Sequence, residues 1–161
     1  MTTAITYRDE VTPADTEHVR QLVESTGVFN AVEEDCAVEL VQARLSQGLA
    51  SGYHFIFAEQ NGQVVGYACY GLIALTVGSY DLYWIAVRRG TQGQGLGRLL
   101  MEEVKRRVRA AGGRRIYIET STRPPYAPTR GFYDRCGCRL EVVLEDFYAP
   151  GDGKAIYVLL P

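Results

Sequence analysis

The apolar positions along the chain fall into two periods, and their order predicts an architecture. Residues 5–11 read as a short first strand. Thr12-Pro13-Ala14-Asp15 is a helix start, with Thr12 as N-cap, Pro13 at the first helical position and an acid in the first turn. Val19, Leu22 and Val23 then recur at helical spacing as far as Thr26, and Gly27 stops the helix. Residues 33–49 predict a second helix, apolar at Val38, Leu40, Val41 and Leu45 and ended by Gly48 and Gly52. From there the period shortens to two. Residues 53–60 predict a strand, Asn61-Gly62 a two-residue hairpin turn, and residues 63–76 the return strand. Gly78 marks the next turn, and residues 79–87 predict a further strand with little alternation, as expected when both faces are covered.

Helical spacing returns at Leu96, Leu99, Leu100, Val104, Val108 and Ala111, which mark one apolar face. The other face carries Glu102, Glu103, Lys105, Arg106, Arg107 and Arg109, a mixed-sign set that suits a solvated surface. Gly112-Gly113 closes this helix. A strand at 115–120, a proline-rich loop at 121–128, a short helix at 129–136, a strand at 138–148, a turn at 150–153 and a last strand at 155–160 complete the chain. The predicted order is β-α-α-β-β-β-α-β-α-β-β in one domain spanning residues 1–161. The fold class is α/β (α+β), with a mixed, mostly antiparallel sheet of about seven strands flanked by helices and one right-handed βαβ unit.

Composition removes several function classes. The 161 residues are 47% apolar and 22% charged, ordinary values for a globular domain. A net charge of −2 gives no electrostatic case for nucleic acid or an anionic membrane. No apolar run approaches the roughly 18–20 residues of a membrane span, and the first eleven residues hold no apolar signal core. A cytoplasmic location is the resulting expectation. Cys36, Cys69, Cys136 and Cys138 are scattered apart from one C-x-C, and His18 and His54 are not in metal-ligand spacing with them. Reduced, structural cysteines and no metal are expected.

The chemistry is concentrated after the strand at 79–87, where Gly90, Gly93, Gly95 and Gly97 precede a helix. A helix N-terminus offers unpaired N–H groups to an anion, and glycines let the backbone approach it. A Walker-type loop would need Lys and a hydroxyl after its last glycine, but Arg98-Leu99 stands there. A dinucleotide fingerprint, G-x-G-x-x-G, fits poorly because Gly93-Gln94-Gly95-Leu96-Gly97 puts the third glycine out of step. Glu119 does fall near the end of the next strand, where a ribose-binding acid would stand. The preceding strands, however, form a hairpin meander rather than further βαβ units. A glycine-rich connection with no ligand is the remaining alternative.

Read as Gln92-Gly93-Gln94-Gly95-Leu96-Gly97, Q-x-x-G-x-G, the loop resembles the pyrophosphate-binding motif of the GNAT superfamily of acyl-CoA-dependent N-acetyltransferases. The element order resembles that family's along essentially the whole chain. Gly131-Phe132-Tyr133-Asp134-Arg135-Cys136-Gly137-Cys138 resembles its F-Y-x-x-x-G-F stretch, with Cys138 in place of the last aromatic.

The resemblance implies transfer of the acetyl group of acetyl-CoA to a primary amine by direct attack in a ternary complex, the amine belonging to a small molecule or a peptide. It places the co-substrate where the strands at 81–87 and 115–120 splay apart. Backbone groups of Ile85, Ala86 and Val87 would bond the pantetheine, with the Val87 N–H on the thioester carbonyl. The N–H groups of Gln92, Gly93, Gln94, Gly95, Leu96, Gly97 and Arg98 would hold the pyrophosphate, with Arg88, Arg89 and Arg98 adding charge. Tyr133 would donate to the departing sulfur. Asp81 would be the base, directly or through water, with Glu119 the second candidate; both also read as ordinary strand carboxylates. The family's asparagine ahead of the tyrosine is missing, so Thr120, Ser121, Tyr126 or Thr129 would replace its contact.

Glu33, Glu34 and Asp35 either compensate a helix dipole or read a cationic substrate. Tyr80, Tyr83, Trp84, Phe147 and Tyr148 could frame the acceptor, with half of them facing the core by strand alternation. Asp146 and Asp152 recognise an amine or serve as turn acids. Homodimers are frequent in the family. A non-catalytic acyl-CoA-binding module on the same fold is the alternative function, and a dinucleotide enzyme the more distant one.

Overall fold

The computed structural model describes residues 4–91 and 94–161. Its elements are β1 (Thr6–Arg8), α1 (Asp15–Thr26), α2 (Ala31–Gln47), β2 (His54–Gln60), β3 (Gln63–Leu72), β4 (Ser79–Val87), α3 (Leu96–Ala110), β5 (Arg115–Ser121), α4 (Ala127–Arg135), β6 (Arg139–Ala149) and β7 (Asp152–Leu159). Single 3-10 turns stand at Gly48–Ser51 and Pro124–Tyr126. The strands form one mixed sheet in the order β1-β2-β3-β4-β5-β7-β6. The β4–β5 pair is parallel, whereas β1–β2, β2–β3, β5–β7 and β6–β7 are antiparallel. Among the described residues no helix is long and apolar enough to cross a membrane.

The helix ends follow local chemistry, not always the chemistry predicted. Helix α1 starts at Asp15 and not at the proline, so Thr12 does not cap it through its side chain. The roles are reversed: the Asp15 carboxylate accepts the Thr12 N–H at 2.8 Å and the Thr12 hydroxyl at 3.2 Å. Gly27 ends α1 in the left-handed region at φ 70°. Helix α2 starts two residues early because Asn30 and Glu33 form a reciprocal capping box. This gives Glu33 a structural role, and Asp35 pairs with Arg20 at 3.1 Å. Asn61 and Gly62 adopt φ 53° and 74°, the conformation of a type I′ hairpin turn. Helix α4 also starts early, taking Pro128 into its first turn, where a missing N–H costs nothing. On α3, Leu99 is 48% exposed and Ala111 lies past the helix end and is exposed, while Met101 is buried.

The chain packs as two compact units, one containing residues up to Gly71 with Trp84–Val104, the other Leu72–Tyr83 with Lys105–Pro161. In the first, Val19, Leu22 and Val23 of α1 and Ala37 and Val41 of α2 bury against Phe55 and Phe57 of β2 and Tyr67 and Cys69 of β3. Below α1, the fully buried Asp15 carboxylate receives Arg8 at 2.8 Å and His18 at 2.9 Å. Arg8 also pairs with Glu59 and lies 4.5 Å over the Phe57 ring. In the second unit, the parallel register of β4 with β5 and the antiparallel register of β5 with β7 define two faces. Leu82, Ile118, Thr120, Ala155 and Tyr157 share one face. Asp81, Tyr117, Glu119, Lys154, Ile156 and Val158 share the other.

Candidate functional site

In the first unit, the end of β4 is held by a close backbone approach. A register shift after Ala58 leaves Val65 unpaired, and the Val65 carbonyl accepts the Arg88 N–H at 2.8 Å. A Cβ added at Gly66 would stand 3.2 Å from the Ala86 carbonyl oxygen and 3.7 Å from the Val87 Cα. Gly66 therefore sets how near β3 comes to Ala86 and Val87, two of the three residues expected to face the thioester arm. Past β4 the Arg88 carbonyl accepts the Thr91 N–H, and the Thr91 carbonyl accepts the Gln94 N–H. Gly95 turns the chain at φ 73°, a left-handed conformation, and its carbonyl accepts the Leu99 N–H to open α3. Gln94, Gly95, Leu96, Gly97 and Arg98 thus stand at the start of α3, whose first-turn N–H groups have no intrahelical acceptor. Gln92 and Gly93 lie outside the described residues.

Arg88 does not turn toward this helix start. Its guanidinium donates to the Val64 carbonyl at 2.9 Å and to Gln63 at 3.2 Å. It lines a polar groove of about 290 Å³ with Arg8, His18 and Glu59. The Arg89 N–H donates to Ser25 at 3.3 Å, against the end of α1. Arg98, exposed in the first turn of α3, is the arginine of the three left at the helix start.

In the second unit, β4 and β5 are registered from Ser79–Arg115 to Leu82–Ile118, and residues 83–87 lie past the last pair. Asp81 and Glu119 stand on one face of this part of the sheet. Burial, and then the negative charge of Glu119, raise the pKa of the Asp81 carboxyl from its ordinary value, with Lys154 opposing them. Glu119 itself is engaged by the Lys154 ammonium at 2.9 Å. The Lys154 side chain is only 14% exposed, and its Nζ lies 4.3 Å over the Phe147 ring. Lys154 was not among the sequence candidates. A signal exists in hindsight: it stands two positions past Asp152 in a strand that pairs with both β5 and β6.

Tyr133 occupies the opposite face. Its ring is buried, 5.6 Å from Phe132 and 5.6 Å from Tyr157. Burial raises its hydroxyl well above the ordinary tyrosine value, so it stays protonated through the physiological range. The helix stop fixes its position. Gly137 at φ 84° lets the Cys138 N–H reach the Tyr133 carbonyl at 3.0 Å and the Gly137 N–H reach the Asp134 carbonyl at 3.1 Å. Cys138 is 7% exposed, so it fills a packing position where the family pattern has an aromatic, and burial pushes its thiol up to about 12.

The remaining candidates divide. Thr120 and Tyr126 are buried, and the Arg123 guanidinium lies 6.0 Å from the Tyr126 ring. Ser121 bonds Asp152, and Asp146 accepts the Gly151 N–H at 2.8 Å, so both of these acids are already engaged in local structure. Trp84 meets Phe29 edge-on at 4.9 Å in the first unit. Tyr80 is buried, whereas Tyr83, Phe147 and Tyr148 are exposed. No group of three metal-ligating side chains occurs among the described residues.

Comparison with known proteins agrees with the motifs. The family model described as the acetyltransferase (GNAT) family matches residues 17–138. A crystal structure of a GNAT-family protein from Desulfovibrio desulfuricans is 51% identical, covering 98% of this chain and 99% of that one at a TM-score of 0.94. The ribosomal-protein-S18-alanine N-acetyltransferase of Escherichia coli shares the fold at 19% identity, with coverages of 98% and 94% and a TM-score of 0.76. So does yncA of Salmonella typhimurium, solved with its cofactor acetyl-CoA, at 19% identity, 98% and 94% coverage and a TM-score of 0.72. No curated protein matched in the sequence search. With a family match over most of its length and a 51% identical relative spanning it almost end to end, the chain belongs to the GNAT family of acetyltransferases.

Proposed function

We propose that this acetyltransferase transfers the acetyl group of acetyl-CoA to the nitrogen of a primary amine, by direct attack and without a covalent acyl-enzyme. The observation that carries this reading is the two-sided arrangement on the β4–β5–β7 sheet. A half-buried carboxyl with a raised pKa, Asp81, stands on one face, and a buried, protonated phenol, Tyr133, on the other. An amine attacking a thioester carbonyl must lose a proton, and the departing sulfur gains from a donor. In this reading Asp81 would take that proton and Tyr133 would serve as that donor.

In this reading the neutral amine nitrogen forms a bond to the thioester carbon and the C–S bond breaks. The nitrogen's excess proton passes to Asp81, directly or through water. Asp81 is the stronger candidate base because the Lys154 ammonium occupies Glu119, while burial and the Glu119 charge make Asp81 more basic. Tyr133 donates a hydrogen bond to the leaving thiolate. The Val87 N–H would receive the developing oxyanion, and the α3 start, with Arg98, the pyrophosphate. Buried Cys69 and Cys138, with thiols pushed up by burial, are poor nucleophiles, which favours direct transfer over a cysteine acyl-enzyme.

The test is release of free CoA thiol across a panel of amines comprising polyamines, aminoglycosides, peptide N-termini and lysine side chains. Turnover with at least one amine, abolished when the amine is methylated to a quaternary centre, supports the reading. Binding of acetyl-CoA without turnover on any of them would favour the non-catalytic alternative.

A further inference from the structure

We infer that the polar groove bounded by β1, α1 and the β2–β3 hairpin is a binding site for a free α-amino acid, with the ligand carboxylate on Arg88 and its ammonium on Glu59. This is a second site, and it does not depend on how the transfer reaction runs. The groove lies wholly inside the first unit and has a volume of about 290 Å³. Small-molecule sites span roughly 300–1,000 Å³ and are lined mainly by apolar side chains. This one is near the lower end in size, and all of its lining except Gly62 and Val64 is polar or charged. It therefore suits a small and polar occupant.

The charged groups of the groove differ in how far they are engaged. Arg8 is fully engaged: its guanidinium meets both oxygens of the buried Asp15 carboxylate, one oxygen of Glu59 and the Glu10 carbonyl. Arg88 is not. A guanidinium has five N–H donors. Arg88 gives one to the Gln63 side chain and one to the Val64 carbonyl, both neutral, and among the described residues no carboxylate pairs with it. Its remaining donors and its charge suit a carboxylate, which a guanidinium fork matches. Glu59 is half engaged, because Oε1 takes Arg8 and Oε2 has no partner among the described residues. The two groups are one strand apart: Glu59 is the β2 partner of Val64, whose carbonyl holds the Arg88 guanidinium. An α-amino acid carries a carboxylate and an ammonium on one carbon and so can meet both. Charge balance favours this zwitterion over an anion. With His18 neutral, Arg8 and Arg88 balance Asp15 and Glu59. A zwitterion keeps that balance, whereas a dicarboxylate or a phosphate adds negative charge beside Glu59. The Gln63 amide N–H groups and His18 Nε2, the ring nitrogen not turned to Asp15, are left for the ligand's side chain.

The test is isothermal titration calorimetry of the full chain, without acetyl-CoA, against the common free L-amino acids, succinate and inorganic phosphate. At least one amino acid is expected to bind, and to bind more tightly than succinate, phosphate, its own N-acetyl derivative or its own carboxamide. Arg88→Met and Glu59→Gln should each weaken that binding roughly 10- to 100-fold, the effect of losing a hydrogen bond to a charged group. Absence of binding by every amino acid overturns the proposal, and so does tighter binding of succinate or phosphate. An affinity that survives Arg88→Met also overturns it, because the amino acid then sits elsewhere, as an acetyl acceptor would. Should Arg88→Met fail to fold, amide chemical shifts of the wild type decide: changes on titration centred on Gln63, Val64 and Arg88 support the site, and changes centred elsewhere overturn it.

Discussion

On the β4–β5–β7 face, Asp81 titrates under opposing influences: burial and Glu119 push its pKa up, and Lys154 pulls it back. If its ionised form is the base, kcat/KM falls as the pH drops through that raised value. Asp81→Asn should remove this acidic limb and lower kcat/KM by roughly 10²- to 10⁴-fold; an unchanged limb would assign the titration elsewhere. Lys154→Met should move the limb to higher pH, since a cation that lowers the Asp81 pKa is lost, and Lys154→Arg should move it most of the way back. Equal limbs in wild type and Lys154→Met would show that Lys154 only packs against Phe147. Tyr133→Phe should lower kcat roughly 10- to 100-fold with little change in CoA affinity, a modest loss because a thiol of pKa near 8.5 leaves without much help. Asp81 and Tyr133 are candidates already at the level of sequence, through the family resemblance of the glycine loop and the F-Y pair. Lys154 is not. Its approach to Glu119 depends on the register of β5 with β7, and the two residues are far apart in sequence.

Elements were legible where one signal dominated and less so where two competed. Asn61-Gly62 and Gly27 placed a turn and a helix end because few other residues take a positive φ. The start of α1 was misplaced because Thr12, Pro13 and Asp15 are all helix-start residues, and the tertiary pull of Arg8 on Asp15 decides among them. That pull has a pH signature. Burial alone would raise the Asp15 carboxyl, but hydrogen bonds from Arg8, His18 and Thr12 hold it down at about 2, against an ordinary 3.8. A depressed carboxylate stabilises the fold above its unfolded pKa and ceases to as pH falls through the folded one. Stability worth about 2 kcal/mol at neutral pH should therefore disappear between about pH 4 and pH 2. Asp15→Asn should lose that amount at pH 7 and flatten the acid dependence in urea titrations; a variant as stable as wild type at pH 7 would refute the argument. The β3–β4 approach makes a second claim at this scale. Gly66→Val must displace Ala86 and Val87, so it should cost about 1–3 kcal/mol and depress turnover more than Val65→Ala.

At the scale of the whole molecule, the sequence carried the family through the order of elements and two motifs, and those motifs stand in both compact units. The glycine loop and the end of β4 belong to one, and Asp81, Glu119 and Tyr133 to the other. Binding of acetyl-CoA is therefore best tested by a global property. A ligand that binds only the folded chain stabilises it by about 2.7 kcal/mol at a hundred times its Kd. For a chain of this size each kcal/mol moves the melting temperature by about 2–4 °C, so saturating acetyl-CoA should raise it by roughly 5–10 °C. NAD should give no shift, because the third glycine is out of register for a dinucleotide and Lys154 already occupies Glu119, the one acid placed to meet its ribose. Arg98→Ala should reduce the acetyl-CoA shift by weakening the pyrophosphate contact, while Arg88→Ala should not, because the Arg88 guanidinium is committed to Gln63 and the Val64 carbonyl. A larger loss from Arg88→Ala than from Arg98→Ala would place the phosphates away from the α3 start, and a shift with NAD but not acetyl-CoA would remove acetyl-CoA as the co-substrate.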